Sequence, residues 1–358
     1  MKKRRRISTR SVELLNSGQR SFPPLWLMFF LLILGLCTTV MAQSAVVLVG
    51  SGSTVPAPLY NRWAQEYGKH SPMVQVRYVP IGTSEGIKQI ANGSGDFGAG
   101  EVRLTDKERK ENGLTELPAV LIAIVPVYNV PGVQQQLRIS GEVLAEIFLG
   151  EVKTWSAPSI AKLNPGVTLP NLRIEVVNRP AGKGSNYVLT DFLSKASARF
   201  RSEIGVTASP KWPVGVSAER SSDMVYKVRG EPGAIGFVEL AYAMNSKLPT
   251  FAVLNPAGKF VEASVETVAA ACQAVEAPRW SSFSASLTNA PGVDSFPITS
   301  FTWIYLRPSS SNEARAEALR DFLGWMYSDG QQFASQEGYA GLPPELLEAV
   351  RAKVKELR

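Results

Sequence analysis

Four short segments combine glycine, hydroxyl and charged residues in a pattern suited to holding an anion. They are Gly52-Ser53-Thr54-Val55, inside the turn GSGSTVPAPLY; Gly82-Thr83-Ser84; Asp96-Phe97-Gly98-Ala99-Gly100-Glu101; and Arg179-Pro180-Ala181-Gly182-Lys183-Gly184-Ser185. Three of the four run from a strand-like stretch into a helical one. The N-terminus of a helix presents unpaired N–H groups and the positive end of the dipole, which favours an anion. Serine and threonine hydroxyls add donors. Arg179 and Lys183 supply cations, and a guanidinium can grip two oxygens of an oxyanion at once. Glu101 is the informative exception. A carboxylate only accepts hydrogen bonds, so it suits an oxyanion that keeps a proton, as phosphate does near neutral pH and sulfate does not. An unpaired carboxylate beside sulfate would cost several kcal/mol.

The elements that must position these turns are legible from periodicity. Strands are predicted at Ala45–Val49, Val74–Val79, Asp96–Ala99, Val120–Tyr128, Arg173–Val177, Ala234–Val238 and Ile298–Leu306. Helices are predicted at Tyr60–Tyr67, Ser84–Asn92, Ser140–Leu149 with Ser140 as N-cap, Asn186–Lys195, Ala314–Tyr327 and Pro344–Leu357. Alternation of strand and helix argues for an α/β fold with a parallel sheet covered by helices. The two long apolar strands, Leu121–Tyr128 and Ile298–Leu306, lie far apart in sequence and suit two crossings between a pair of lobes. A cleft between lobes is a natural small-ligand site.

Composition narrows the function classes. Residues 1–42 combine a basic start (Lys2, Lys3, Arg4, Arg5, Arg6, Arg10, Arg20), an uncharged apolar run Leu25–Met41 and a small-residue site at Val40-Met41-Ala42, and read as a secretory signal peptide. An uncleaved anchor and lipidation at Cys37 are the alternatives. This leader holds seven Lys/Arg and one acidic residue, so +6 of the net +7, which leaves about +1 on the remaining chain. The basic balance therefore gives no support for nucleic-acid binding. One cysteine, Cys272, remains, so no internal disulfide is available and an apolar core must hold the fold. The lone histidine, His70, leaves no Ser-His-Asp set or His-rich metal site, and no catalytic or metal-binding residues and no cofactor are expected. Gly182-Lys183-Gly184 lacks the order of a nucleotide P-loop. Trp63, Trp155, Trp212 and Trp325 are read as packing residues.

The chain closely resembles the periplasmic phosphate-binding protein family of the Pst ABC transporter. GSGSTVPAPLYNRWAQEY, IGTSEGIKQIANGSGDFGAGE, EIFLGEVKTWSAPSIAKLNPG, NRPAGKGSNYVLTDFL, KWPVG, GEPGAIGFVELAYA, FPITSFTWIYL and YAGLPPELLEAVR recur in the family's order. The resemblance implies a two-lobed type II periplasmic-binding-protein fold, with the ligand cleft between lobes joined by two hinge strands. Lobe I would take residues 43–123 and 299–358, and lobe II residues 124–298. It implies a monomeric, extracytoplasmic, non-enzymatic protein that captures inorganic phosphate and delivers it to membrane permease subunits. A binding protein for another oxyanion or a phosphonate, or a sensor on the same fold, is the rival reading.

The implied ligand residues are Ser53, Thr54, Val55, Thr83, Glu101, Arg179, Lys183, Gly184 and Ser185. Thr54 and Val55 match the family's first contacts, the second through its backbone N–H, and Thr83 matches a serine. Arg179 matches the arginine, and Gly184-Ser185 a Gly-Thr donor pair. Glu101 stands where the family has the aspartate that accepts the phosphate proton. Ala181 replaces an aspartate that pairs with the arginine, and Lys183 replaces a serine, so a more cationic pocket is expected, with Glu85 restoring some balance.

Overall fold

The computed structural model describes residues 45–275, 283, 285–308 and 312–357; the predicted leader, residues 1–42, lies outside them. Among the described residues, eleven strands form two sheets. They are β1 (Val46–Gly52), β2 (Val74–Pro80), β3 (Phe97–Gly100), β4 (Thr115–Tyr128), β5 (Arg138–Ile139), β6 (Glu175–Asn178), β7 (Val216–Ser217), β8 (Ala234–Glu239), β9 (Ala252–Leu254), β10 (Phe260–Val261) and β11 (Thr299–Leu306). The large sheet runs β2-β1-β3-β11-β4-β8-β6-β7, and a small one β10-β9-β5.

The large sheet is mixed rather than parallel throughout. β2, β1 and β3 run parallel, as do β8, β6 and β7. Between them β11 and β4 pair antiparallel with each other and with their flanking strands. β4 changes partner in mid-course: Thr115 to Ala123 face β11, and Ile124 to Tyr128 face β8. Apolar runs fix burial but not strand direction, so the sequence reading could not separate these arrangements. All of β4 beyond Thr115 is buried, as is nearly all of β11, which explains their continuous hydrophobicity.

Helices follow the parallel strands. Ala57–His70 follows β1 with Pro58 in its first turn, where a missing N–H costs nothing. Its face of Leu59, Tyr60, Trp63 and Tyr67 is buried, and Trp63 Nε1 donates to Gly330 O at 2.7 Å. Thr83–Ala91 follows β2, and Gly184–Ala196 follows β6. Ser140 caps Gly141–Phe148 as predicted, its hydroxyl accepting from the Val143 amide at 3.3 Å. Asp106–Asn112, polar on every side and closed by a Thr105/Glu108 capping box, was not among the predicted elements; it buries no residue and so lacks the apolar period that marks the others. Trp63 and Trp155 are fully buried, in keeping with a packing role. Cys272 is buried in Val265–Gln273, where burial pushes its thiol up to about 12, so it is inert as a nucleophile. Among the described residues, no helix is long and apolar enough to cross a membrane.

Candidate anion site

The predicted residues meet at one place because of where their strands end. Ser53 and Thr54 follow the C-terminal end of β1, Thr83 follows β2, Glu101 follows β3 and Arg179 follows β6. The carboxyl ends of parallel strands are where open α/β sheets bind ligands. Here two parallel groups bring such ends together from either side of β11 and β4.

On the β1 side the backbone is held tightly. The Ser53 amide donates to Ala99 O at 2.9 Å, and the Ser53 hydroxyl accepts from the Val55 amide at 3.0 Å. Tyr78 and Tyr339 donate to the carbonyls of Ser53 and Val55, each at 2.7 Å. Gly52 is required where β1 passes β3: a Cβ there would lie 1.9 Å from Ala99 O, at φ +148°. These contacts fix the turn that carries Ser53, Thr54 and Val55.

Contacts then cross between the two groups of strands. Arg179 Nη2 donates to Thr54 Oγ1 at 3.3 Å, and the Ser84 amide to Gly182 O at 3.2 Å. Thr83 Oγ1 donates to Glu101 Oε2 at 2.9 Å. Glu101 reaches the start of the Gly184–Ala196 helix so closely that a Cβ on Gly184 would lie 1.5 Å from Oε2. No side chain caps that helix or Thr83–Ala91, so both N-termini keep donors for other partners.

Three buried polar atoms here have no hydrogen-bond partner: Glu101 Oε1, Arg179 Nε and Ser185 Oγ. Unpartnered buried polar atoms are costly and rare, and three at one site, one acceptor and two donors, mark a place built for a polar ligand. Burial pushes the Glu101 carboxyl up to about 7 against the pull of the Ser53 and Thr83 hydroxyls, and Glu239 adds to the rise. The site therefore holds an acid raised toward neutrality by its burial.

Two residues absent from the sequence reading complete it. Arg179 Nη1 donates to Ser221 Oγ at 3.1 Å, and Ser221 donates to both oxygens of Glu239, at 2.7 and 2.9 Å. Glu239 is 1% exposed, and burial raises its carboxyl despite the Arg179 charge. The available signal was a glutamate ending the otherwise apolar run AIGFV in β8, since a buried strand rarely carries a charge without a partner.

The more cationic pocket expected from Ala181 and Lys183 is not what the side chains make. Lys183 is buried, and its ammonium is ion-paired with Glu219, so it is not a free cation. Arg179 is backed by Glu239. Glu85 pairs with Lys88 at 3.8 Å on an exposed face and does not rebalance the site. Among the described residues, no group of three His, Cys, Asp or Glu side chains could hold a metal.

Residues 39–330 match the model of a PBP superfamily domain. Phosphate-binding protein PstS of Pasteurella multocida is 34% identical over 319 residues, covering 89% of this chain and 92% of that one. PstS of Xylella fastidiosa is 33% identical over 309 residues, covering 86% and 85%. The chain belongs to the PstS family. Its fold agrees with solved family structures: a phosphate-binding protein from Stenotrophomonas maltophilia superposes with a TM-score of 0.65 at 19% identity, over 86% of this chain and 94% of that one. The mixed sheet is thus the two-lobed type II binding-protein fold that the PstS resemblance implied, and the family is one of substrate-binding proteins, not of enzymes.

Proposed function

We propose that this protein captures inorganic phosphate between two lobes outside the cytoplasm and delivers it to the permease of an ABC transporter. The carrying observation is the convergence of Glu101 Oε1, Arg179 Nε and Ser185 Oγ, buried and unpartnered, from opposite groups of strands. Lobe I is residues 43–123 with 299–358, and lobe II is residues 124–298. The partner change of β4 between Ala123 and Ile124 supports that division. The names of the PstS relatives, spread over most of the chain, support the ligand.

In this reading Ser53, Thr54 and Thr83 contact phosphate from lobe I, with the Val55 amide, which donates to Ser53 Oγ in this structure, turning to the anion. Arg179, Gly184 and Ser185 contact it from lobe II. Lys183 lines the same wall as half of an ion pair. Glu101 accepts the proton that phosphate retains, which favours phosphate over sulfate. No bond is made or broken. Ligand contacts on both lobes favour the closed arrangement, and the closed form is the one a permease can distinguish. The protein acts as a monomer, and its leader directs secretion.

Thermal unfolding with a panel of oxyanions tests this. Phosphate at a hundred times its Kd should stabilise the protein by about 2.7 kcal/mol, and sulfate far less. No shift with phosphate, or a larger one with sulfate, would defeat the reading.

A further inference from the structure

Arg179 is 1% exposed, and a buried guanidinium needs a counter-charge. On its own turn no carboxylate is available: position 181 is alanine and position 183 is lysine. The buried negative charge comes instead from 60 residues further along, through one hydroxyl. Asp223, partly exposed on the helix that begins with Ser221, also feels the Arg179 charge. Ser221 accepts from Arg179 Nη1 and donates its proton to Glu239, whose two oxygens both lie within reach. That direction of donation makes Glu239 the acceptor at the end of the chain. β6 and β8 are adjacent and parallel, so Arg179 and Glu239 follow or end neighbouring strands at the same edge of the sheet. Ser221 is the first residue of the helix Ser221–Gly230, which sets its hydroxyl between them.

We propose that Glu239, acting through Ser221, is the positioning counter-charge for Arg179 and limits how strongly the site attracts dianions that carry no proton. Glu239 touches no ligand. It stands behind the guanidinium and offsets its charge, so binding must rely more on donated hydrogen bonds and on the proton passed to Glu101. With that charge removed, Arg179 attracts any dianion more strongly, sulfate included. The inference rests on the phosphate reading of the same site.

The test is calorimetry of phosphate and sulfate with the purified protein and three variants. Glu239→Gln keeps an acceptor for the Ser221 hydroxyl and removes only the charge. It should tighten sulfate at least tenfold. A purely structural role for Glu239 would instead weaken both anions, and that result overturns the proposal. The double variant Ser221→Asp/Glu239→Gln returns a carboxylate to Arg179 at a helix start that favours one, and should restore weak sulfate binding; continued tight binding would refute the counter-charge. Ser221→Asp alone does not depend on the folding of Glu239→Gln. Its carboxylate lies within hydrogen-bond reach of Glu239, and two such buried carboxylates share one proton, so Arg179 keeps a single counter-charge. Sulfate should bind as weakly as to the wild type, and tenfold tighter sulfate would overturn the proposal. Wild-type protein that binds no phosphate overturns the phosphate reading and this inference together. Wild-type binding with a Glu239→Gln variant unchanged toward sulfate overturns this inference alone.

Discussion

Replacing Glu101 with glutamine should make the ligand-free protein more stable, and only above a defined pH. Glu101 is fully buried; one oxygen accepts from Thr83 and the other from nothing. Its carboxyl is raised from 4.5 to about 7, chiefly by burial. An acid raised in the folded state favours its neutral form. The folded protein holds that proton up to about pH 7, while the unfolded chain releases it near 4.5. Stability from this group is therefore complete below the unfolded value and is lost as pH rises to about 7. At 1.36 kcal/mol per pH unit, the wild type gives up about 3 kcal/mol across that window. Glu101→Gln has no proton to release and keeps that amount.

Chemical denaturation in phosphate-free buffer at a series of pH values measures the gap directly. The variant and wild type should match at about pH 4.5, diverge up to about pH 7 and stay about 3 kcal/mol apart above it. Glu116 and Glu239 are also raised by burial but stay in both proteins, so the difference curve reports Glu101 together with its coupling to Glu239. Phosphate should compress the gap, because its proton relieves the wild-type carboxylate. A gap that does not change with pH, or a variant less stable than wild type near pH 8, would refute the account of Glu101 as a buried acid poised near neutrality.

Three other outcomes follow from the same geometry. Gly184→Ala puts a methyl group where Glu101 Oε2 now sits and 2.5 Å from Thr83 Oγ1, so buried groups must move; calorimetry should find phosphate at least tenfold weaker, and denaturation a loss of about 1–3 kcal/mol. Lys183→Met removes half of an ion pair whose other half, Glu219, is largely exposed. Phosphate affinity should then change less than about fivefold, because the Lys183 charge is already met by Glu219 and a pair open to water on one side is worth about 1 kcal/mol or less. A loss beyond about tenfold would mean that Lys183 meets the ligand as a free cation. Tyr339→Phe strips the Val55 carbonyl of its buried donor. Denaturation should show a loss of about 1–3 kcal/mol.

What the sequence disclosed and what it hid divide along a physical line. The turns at Gly52–Val55, Gly82–Ser84 and Arg179–Ser185 were legible because each couples a local composition to a local structure, a strand end feeding a helix start. The six predicted helices were legible to within three residues at each end, Ala57–His70 from the spacing of Trp63 and Tyr67 and Glu313–Met326 from Ala318, Phe322, Leu323 and Met326, whereas others such as Ser221–Gly230, which carries Ser221, were not predicted. Strand direction was not legible, because an apolar run such as Val120–Tyr128 is buried whichever way its neighbours point. Charge balance failed for a related reason. Ala181 and Lys183 alter the local sequence by two charges, and counting along the turn predicts an excess cation. The fold closes that account with Glu219 and Glu239, which lie 36 and 56 residues beyond Lys183 and are brought back by β7 and β8. Electrostatics acts through space, so the net charge of a cleft depends on which strand ends share an edge of the sheet. In this chain the glutamate that ends β8 thus bears as much on the electrostatics of Arg179 as the residues on either side of it do.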